Sequence, residues 1–322
     1  MRSFIACSLF LLGTASAMEL FESPFIDCPS PCTCFSSSSG DIFVNCEAPH
    51  FAGDRAIDFH MLPHNSTQID VYRGSGLKVL PGRSFTPFRT LTKLEIRFSD
   101  LSVVDEMAFA GLRTLRVLNI QMNNIRTLPR NVFRQSLYLS ELRLDENVIE
   151  DLPDGVFDQL LNLRVLDLSK NRLTNIRPGI FSGLTQLSEL RLSHNRIIEL
   201  DTPAFAPMIN LLTLDLSGNQ LKRIQGSVFA NLSTITEVDL SSNQLSFVDP
   251  IVFKNVQPSL QRLYLCDNPW ICDCPLLKLK RWIDQVKPQQ TDSVGINFDK
   301  HPHQNNRLCR ITCRLPSLVA GK

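Results

Sequence analysis

The sequence predicts an α/β solenoid, a stack of short repeats whose parallel β-strands form one continuous sheet, with a disulfide-bonded cap at each end. Two columns of residues predict the stack. Phe85, Phe109, Phe133, Phe157, Phe181, Phe205, Phe229 and Phe253 follow one another at a constant step of 24 residues. Asn123, Asn147, Asn171, Asn195, Asn219 and Asn243 keep the same step, and Asn268 falls one residue late. A fixed period of this length is the signature of a repeat architecture. The ends are predicted by cysteines at 28, 32, 34 and 46, then at 266, 272, 274, 309 and 313, with none between.

The chain opens with Arg2, an apolar run from Phe4 to Leu12, and Ala15-Ser16-Ala17. That is the layout of a secretory signal peptide over residues 1–17. The run is too short to span a bilayer, no later stretch reaches about 18 apolar residues, and the tail RLPSLVAGK lacks a lipid-anchor segment, so no membrane anchor is expected. The mature product is read as secreted, into the extracellular space or matrix, where cysteine clusters form disulfides by default. Without Arg2 the chain carries 32 basic and 32 acidic side chains, a balance that gives no hint of nucleic-acid binding. The balance hides an asymmetry, because residues 272–322 hold nine Lys or Arg against four Asp, a net of +5.

Rows beginning at Leu91, Leu115, Leu139, Leu163, Leu187, Leu211 and Ile235 read L-x-x-L-x-L-x-x-N-x-L. Rows near Ser66 and at Leu260 fit the same pattern at a step of 25. Leu166 and Leu168 alternate in a short strand and point to one side, while Val165, Asp167 and Ser169 point to the other. A single row cannot bury its leucines, but stacked rows share a core, with the phenylalanine column as its spine. The asparagine column stands where the chain turns inward after each strand. An amide that both donates and accepts can satisfy the backbone groups buried there.

The stretch LRVLDLSKNRLTNIRPGIFSGLTQ resembles the 24-residue typical leucine-rich repeat of extracellular proteins, a resemblance that runs from residue 66 to about residue 271. It implies a curved solenoid with its strands on the concave face. The implied domains are an N-terminal cysteine cap at 18–65, eight repeats at 66–259, and a last repeat strand with a C-terminal cap at 260–322. The cysteine spacings and NPWICDCPLLKLKRW resemble the caps of such proteins, which cover the exposed leucines and open strand edges of a stack. By that resemblance Cys28 pairs with Cys34, Cys32 with Cys46, Cys272 with Cys309 and Cys274 with Cys313, and Cys266 is left over. Leu279, Trp282, Ile283 and Val286 share one helical stripe, expected to lie on the last row.

No phosphate loop, paired-histidine zinc motif or zinc-ribbon spacing is present, so no cofactor, metal or catalysis is expected. The register lists the concave positions, the third, fifth, seventh and eighth of each row. The candidate ligand-binding residues are Tyr72, Arg73, Lys93, Glu95, Arg97, Phe98, Gln121, Met122, Glu141 and Arg143. An exposed aromatic, Phe98, beside Arg97 and Met122 has the composition of an interface anchor. Sequons mark Asn65 and Asn231 for glycosylation, the latter on the convex side, away from that face.

Caps and repeats of this type occur in variable lymphocyte receptors, Toll receptor ectodomains, Nogo receptor and chondroadherin-like matrix proteins. The resemblance implies a non-enzymatic protein that binds a protein or glycan on its concave face, first as an immune-type recognition receptor. The alternative is a matrix or signalling adaptor that holds a matrix protein, a growth factor or a glycosaminoglycan. Heparin-like chains could meet the basic C-terminal cap, and concave faces could pair in a homodimer.

Overall fold

A computed structural model of the chain describes residues 25–26, 28–47, 57–73, 76–271, 278–279 and 281–282. The expected signal peptide, Cys272, Cys274, Cys309, Cys313 and most of the basic C-terminal region lie outside the described residues. Twelve strands form one sheet. It starts as an antiparallel meander of Phe25–Ile26, Cys32–Ser36 and Ile42–Glu47. It continues in parallel through Gln68–Tyr72, Lys93–Arg97, Val117–Asn119, Glu141–Arg143, Val165–Asp167, Glu189–Arg191, Thr213–Asp215, Glu237–Asp239 and Arg262–Tyr264. The result is a curved solenoid of parallel strands.

The pairing register reproduces the sequence period. Leu166 lies opposite Leu190 and Leu142, 24 residues away on either side, and the two 25-residue steps appear as Gln68 opposite Lys93 and Glu237 opposite Arg262. Inward leucines such as Leu142, Leu166 and Leu190 are fully buried. The phenylalanines stack nearly parallel from row to row, for example Phe133 on Phe157 at 6.1 Å and Phe157 on Phe181 at 6.2 Å between ring centroids. Phe59 begins this spine against Phe85, and Trp282 ends it 5.2 Å from Phe253, with its Nε1 donating to Gln257 Oε1. Leu279, also fully buried, joins the same core, so Leu279 and Trp282 of the predicted stripe pack on the last row, while Ile283 and Val286 lie outside the described residues.

Each asparagine joins adjacent rows. Asn147 Oδ1 accepts from Ile125 N at 3.1 Å, and its Nδ2 donates to Ile120 O at 2.9 Å and Leu144 O at 3.0 Å. Asn171 and Asn195 repeat the pattern.

Among the described residues from 57 to 271 the convex side consists of turns, two short 3-10 segments and two small parallel ladders, rather than α-helices. One ladder pairs Val79–Leu80 with Val103–Val104, and the other pairs Asn175–Ile176 with Glu199–Leu200. The rows between them carry Pro129 and Pro153 where Asp105 N donates to Leu80 O in the earlier row. Proline has no N–H to give, and the ladder stops there.

The N-terminal cap holds two disulfides, Cys28 to Cys34 and Cys32 to Cys46. The expectation of a leftover Cys266 is corrected: Cys266 is disulfide-bonded, to a partner outside the described residues. It sits buried two residues past the last described strand. No helix among the described residues is long and apolar enough to cross a membrane.

Candidate binding face

Every repeat strand is followed, within one to three residues, by a residue with left-handed backbone. The column comprises Arg73, Phe98, Met122, Glu146, Lys170, His194, Gly218, Ser242 and Asp267, all with φ between +52° and +66°. The turn after the strand imposes this conformation, which side chains other than glycine, asparagine and aspartate adopt at a cost of order 1 kcal/mol. Phe98 therefore holds an aromatic ring in a strained backbone position while leaving it 43% exposed.

The structure gathers six of the ten predicted residues into one cluster. The Phe98 ring meets Tyr72 edge-on at 5.2 Å between centroids. The guanidinium groups of Arg73 and Arg97 lie 5.2 Å and 5.7 Å from the Tyr72 ring centre, within cation–π range. Arg97 also donates to Asp70 Oδ2 at 2.8 Å, and its Nε lies 2.9 Å from Glu95 Oε2. Glu95 Oε1 pairs with Lys93 Nζ at 2.7 Å. Arg97 thus ties the aromatic group to a four-membered charge network.

The other four predicted residues are arranged differently. Met122, half-buried, occupies the same left-handed column one row on from Phe98. Gln121 has its backbone N–H held by Asn119 Oδ1 and its carbonyl by Asn123 Nδ2, so its role in the strand end is structural at the backbone. Glu141 and Arg143 pair with each other at 2.5 Å, a row beyond. Both sequon asparagines are exposed, and Asn231 Nδ2 donates to Ala206 O in the preceding row.

Three features of this face have no signal in the repeat pattern. Phe35 and Phe43 of the N-terminal cap stack at 5.4 Å and line the concave surface beside Gln68 and Asp70. Asp70 Oδ1 is buried without a hydrogen-bond partner, and burial raises this carboxyl above its ordinary value against the opposing pull of Arg97. Asp145 is pushed up to about 6, first by burial and then by the neighbouring Asp167. Its position is one where other rows carry Ser169, Ser217 or Ser241, each bonded to an aspartate two residues earlier. Arg143 stands in that earlier place and pairs with Glu141, and Asp145 Oδ1 has no hydrogen-bond partner.

Charges on the later concave strands are largely matched within the face. Arg191 contacts Glu189 and Asp167, Arg262 contacts Glu237, and Lys170 contacts Glu146. The N-terminal rows differ in presenting Tyr72, Phe98 and Met122 together with Arg73.

The family model of the Leucine rich repeat matches residues 89–136, 138–197, 185–245 and 209–269, which together exceed half of the chain. The protein belongs to the leucine-rich repeat family. Its repeats point to a protein-binding role, on a fold that is typically an interaction scaffold without catalysis. No curated protein matches the chain.

Proposed function

We propose that the protein is secreted and acts as a recognition receptor, capturing a protein ligand on the N-terminal half of its concave face. The observation that carries this reading is Phe98, an exposed aromatic held in left-handed backbone against Tyr72, with Arg73 and Arg97 both within cation–π range of the Tyr72 ring. Aromatic and arginine side chains are the residue types that dominate binding energy at protein interfaces. Met122 extends the patch and adapts to irregular apolar surfaces. Arg73, Lys93, Glu95, Arg97, Gln121, Glu141 and Arg143 form its polar surround. The ligand class we favour is a foreign or microbial surface protein.

The test is capture of intact bacteria and of purified matrix proteins by the secreted chain, compared with Phe98→Asp. Aspartate tolerates left-handed backbone, so the variant keeps the fold while losing the ring. Bacterial capture lost in the variant supports the reading, and capture unchanged in the variant sinks it. The second reading, an extracellular adaptor for matrix or glycosaminoglycan, is favoured by one observation, the net +5 of residues 272–322. Binding to heparin that weakens with salt and ignores Phe98→Asp would select it.

A further inference from the structure

The flank of the solenoid, where each row closes and the next strand begins, carries an uneven distribution of charge. The stretches 87–92, 111–116, 135–140, 159–164, 183–188, 207–212 and 231–236 occupy this place in successive rows. Together they contain four arginines, Arg89, Arg113, Arg116 and Arg164, and no aspartate or glutamate. All four are exposed, and among the described residues none makes an ion pair. Glu141, the acid that follows Ser140 on the adjoining strand, is held by Arg143. The same rows expose Leu137 at 46%, Tyr138 at 58% and Leu161 at 54%. Bonds between rows bring the two sets together. Ser140 N donates to Arg116 O at 2.8 Å and Arg164 N to Ser140 O at 2.9 Å, while Asn162 Nδ2 donates to Leu137 O at 2.8 Å. Arg89, Arg113, Leu137 and Leu161 form one column at the 24-residue step. Neighbouring strands lie about 4.8 Å apart, so adjacent rungs of that column are in reach of one partner. Neither sequon asparagine, Asn65 or Asn231, falls within the patch.

We propose that this flank is a second docking surface, for a protein partner that presents aspartate or glutamate side chains around an apolar centre. Single exposed leucines are ordinary, but an exposed tyrosine between two leucines, rimmed by uncompensated arginines, has the composition of a protein interface. Charge fixes the partner's sign: with no acid on the flank, its guanidinium groups take their carboxylates from outside the chain. The apolar side chains fix its class. A sulfated polysaccharide would satisfy the arginines yet leave Leu137 and Leu161 in contact with polar groups, whereas a protein partner can bury them. The patch borders the concave sheet without sharing its aromatic cluster, so the chain can hold a concave ligand and a flank partner at once.

The experiment selects random dodecapeptides displayed on phage against the full secreted chain. Counter-selection uses the chain carrying Arg113→Glu, Arg116→Glu, Leu137→Ser and Tyr138→Ser, which discards peptides that bind elsewhere. The expected survivors combine aspartate or glutamate with leucine or aromatic residues. A synthetic copy of one should bind about tenfold or more weakly to the Arg113→Glu, Arg116→Glu pair, and equally so to the Leu137→Ser, Tyr138→Ser pair. Both pairs change exposed positions and should leave the unfolding transition in place. Phe98→Asp should leave the peptide's affinity unchanged, so this result is independent of whether the concave patch captures a ligand. The proposal is overturned by survivors that lack either acids or apolar residues, by no survivors at all, or by a peptide indifferent to Leu137→Ser with Tyr138→Ser. Heparin that binds through Arg113 and Arg116 where no peptide does overturns it too, and makes the flank a polysaccharide site.

Discussion

Replacing Asn147 by alanine tests how the asparagine ladder stabilises the stack. A simple count gives the side chain four bonds: one accepted from Ile125 N, and three donated, to Ile120 O, Leu144 O and Asp145 O. At roughly 1 kcal/mol per bond, that count predicts a loss of about 4 kcal/mol or more. The neighbouring rungs change the sum. Ile120 O also receives Asn123 Nδ2 at 3.1 Å, Leu144 O also receives Asn171 Nδ2 at 3.0 Å, and Asp145 O receives Met122 N at 3.0 Å. Every carbonyl therefore keeps a donor after the substitution, and the buried Ile125 N–H is the group that loses its acceptor. One orphaned buried donor costs about 1–3 kcal/mol, so Asn147→Ala should destabilise by about 2 kcal/mol. Urea titration followed by circular dichroism measures this as a shift in midpoint at unchanged slope. A loss above about 4 kcal/mol would show that the rungs do not share acceptors. A loss near zero would show that Ile125 N–H finds water, and either result refutes the reasoning.

Phe157→Ala, which empties a fully buried site between Phe133 and Phe181, should cost about 3–5 kcal/mol in the same titration. Phe98→Asn should leave stability within about 1 kcal/mol, since relief of left-handed strain offsets the lost edge contact with Tyr72, yet it should remove ligand capture. Asp145 has a folded-state value of about 6 against an ordinary 3.8, so the folded state binds the proton more tightly. Its stabilising contribution is present at low pH and lost as pH rises through about 6. Asp145→Asn should accordingly raise the urea midpoint at pH 7.5, with a gain that shrinks by pH 4.5; equal gains at both would show that Asp145 is not the titrating group.

The solenoid was legible because burial repeats with the chain. The leucine, phenylalanine and asparagine columns each report one location in the stack, and counting from Leu91 or Leu115 places Phe98 and Met122 in the same exposed column. The cap was less legible. Phe35 and Phe43 reach the concave face because an antiparallel hairpin joins a parallel sheet, and no period announces that junction. The network around Arg97 also needed coordinates, because Asp70, Glu95 and Arg97 come from neighbouring rows and converge through side-chain length. It bears on experimental design: reversing the charge of Arg97 would crowd a third carboxylate against Asp70 and Glu95, so Phe98 is the cleaner probe. Cysteine counting misassigned Cys266 because spacing says which cysteines are near in sequence, whereas pairing depends on where the last strand ends.

The left-handed column has a consequence for how such a surface can change over time. Its nine rungs carry nine different residues, arginine, phenylalanine, methionine, glutamate, lysine, histidine, glycine, serine and aspartate, and none is β-branched. The turn disfavours valine, isoleucine and threonine most strongly, and costs the other side chains outside glycine, asparagine and aspartate only about 1 kcal/mol. Neighbours add occasional local demands, as where a β-carbon on Gly218 would come within 2.6 Å of the His194 ring. Glu146 and Lys170, which pair at 2.6 Å, couple two further rungs, and the remaining rungs stand beside a core of leucine, isoleucine and valine that is set separately. New specificities can be composed one repeat at a time, without renegotiating the fold that displays them.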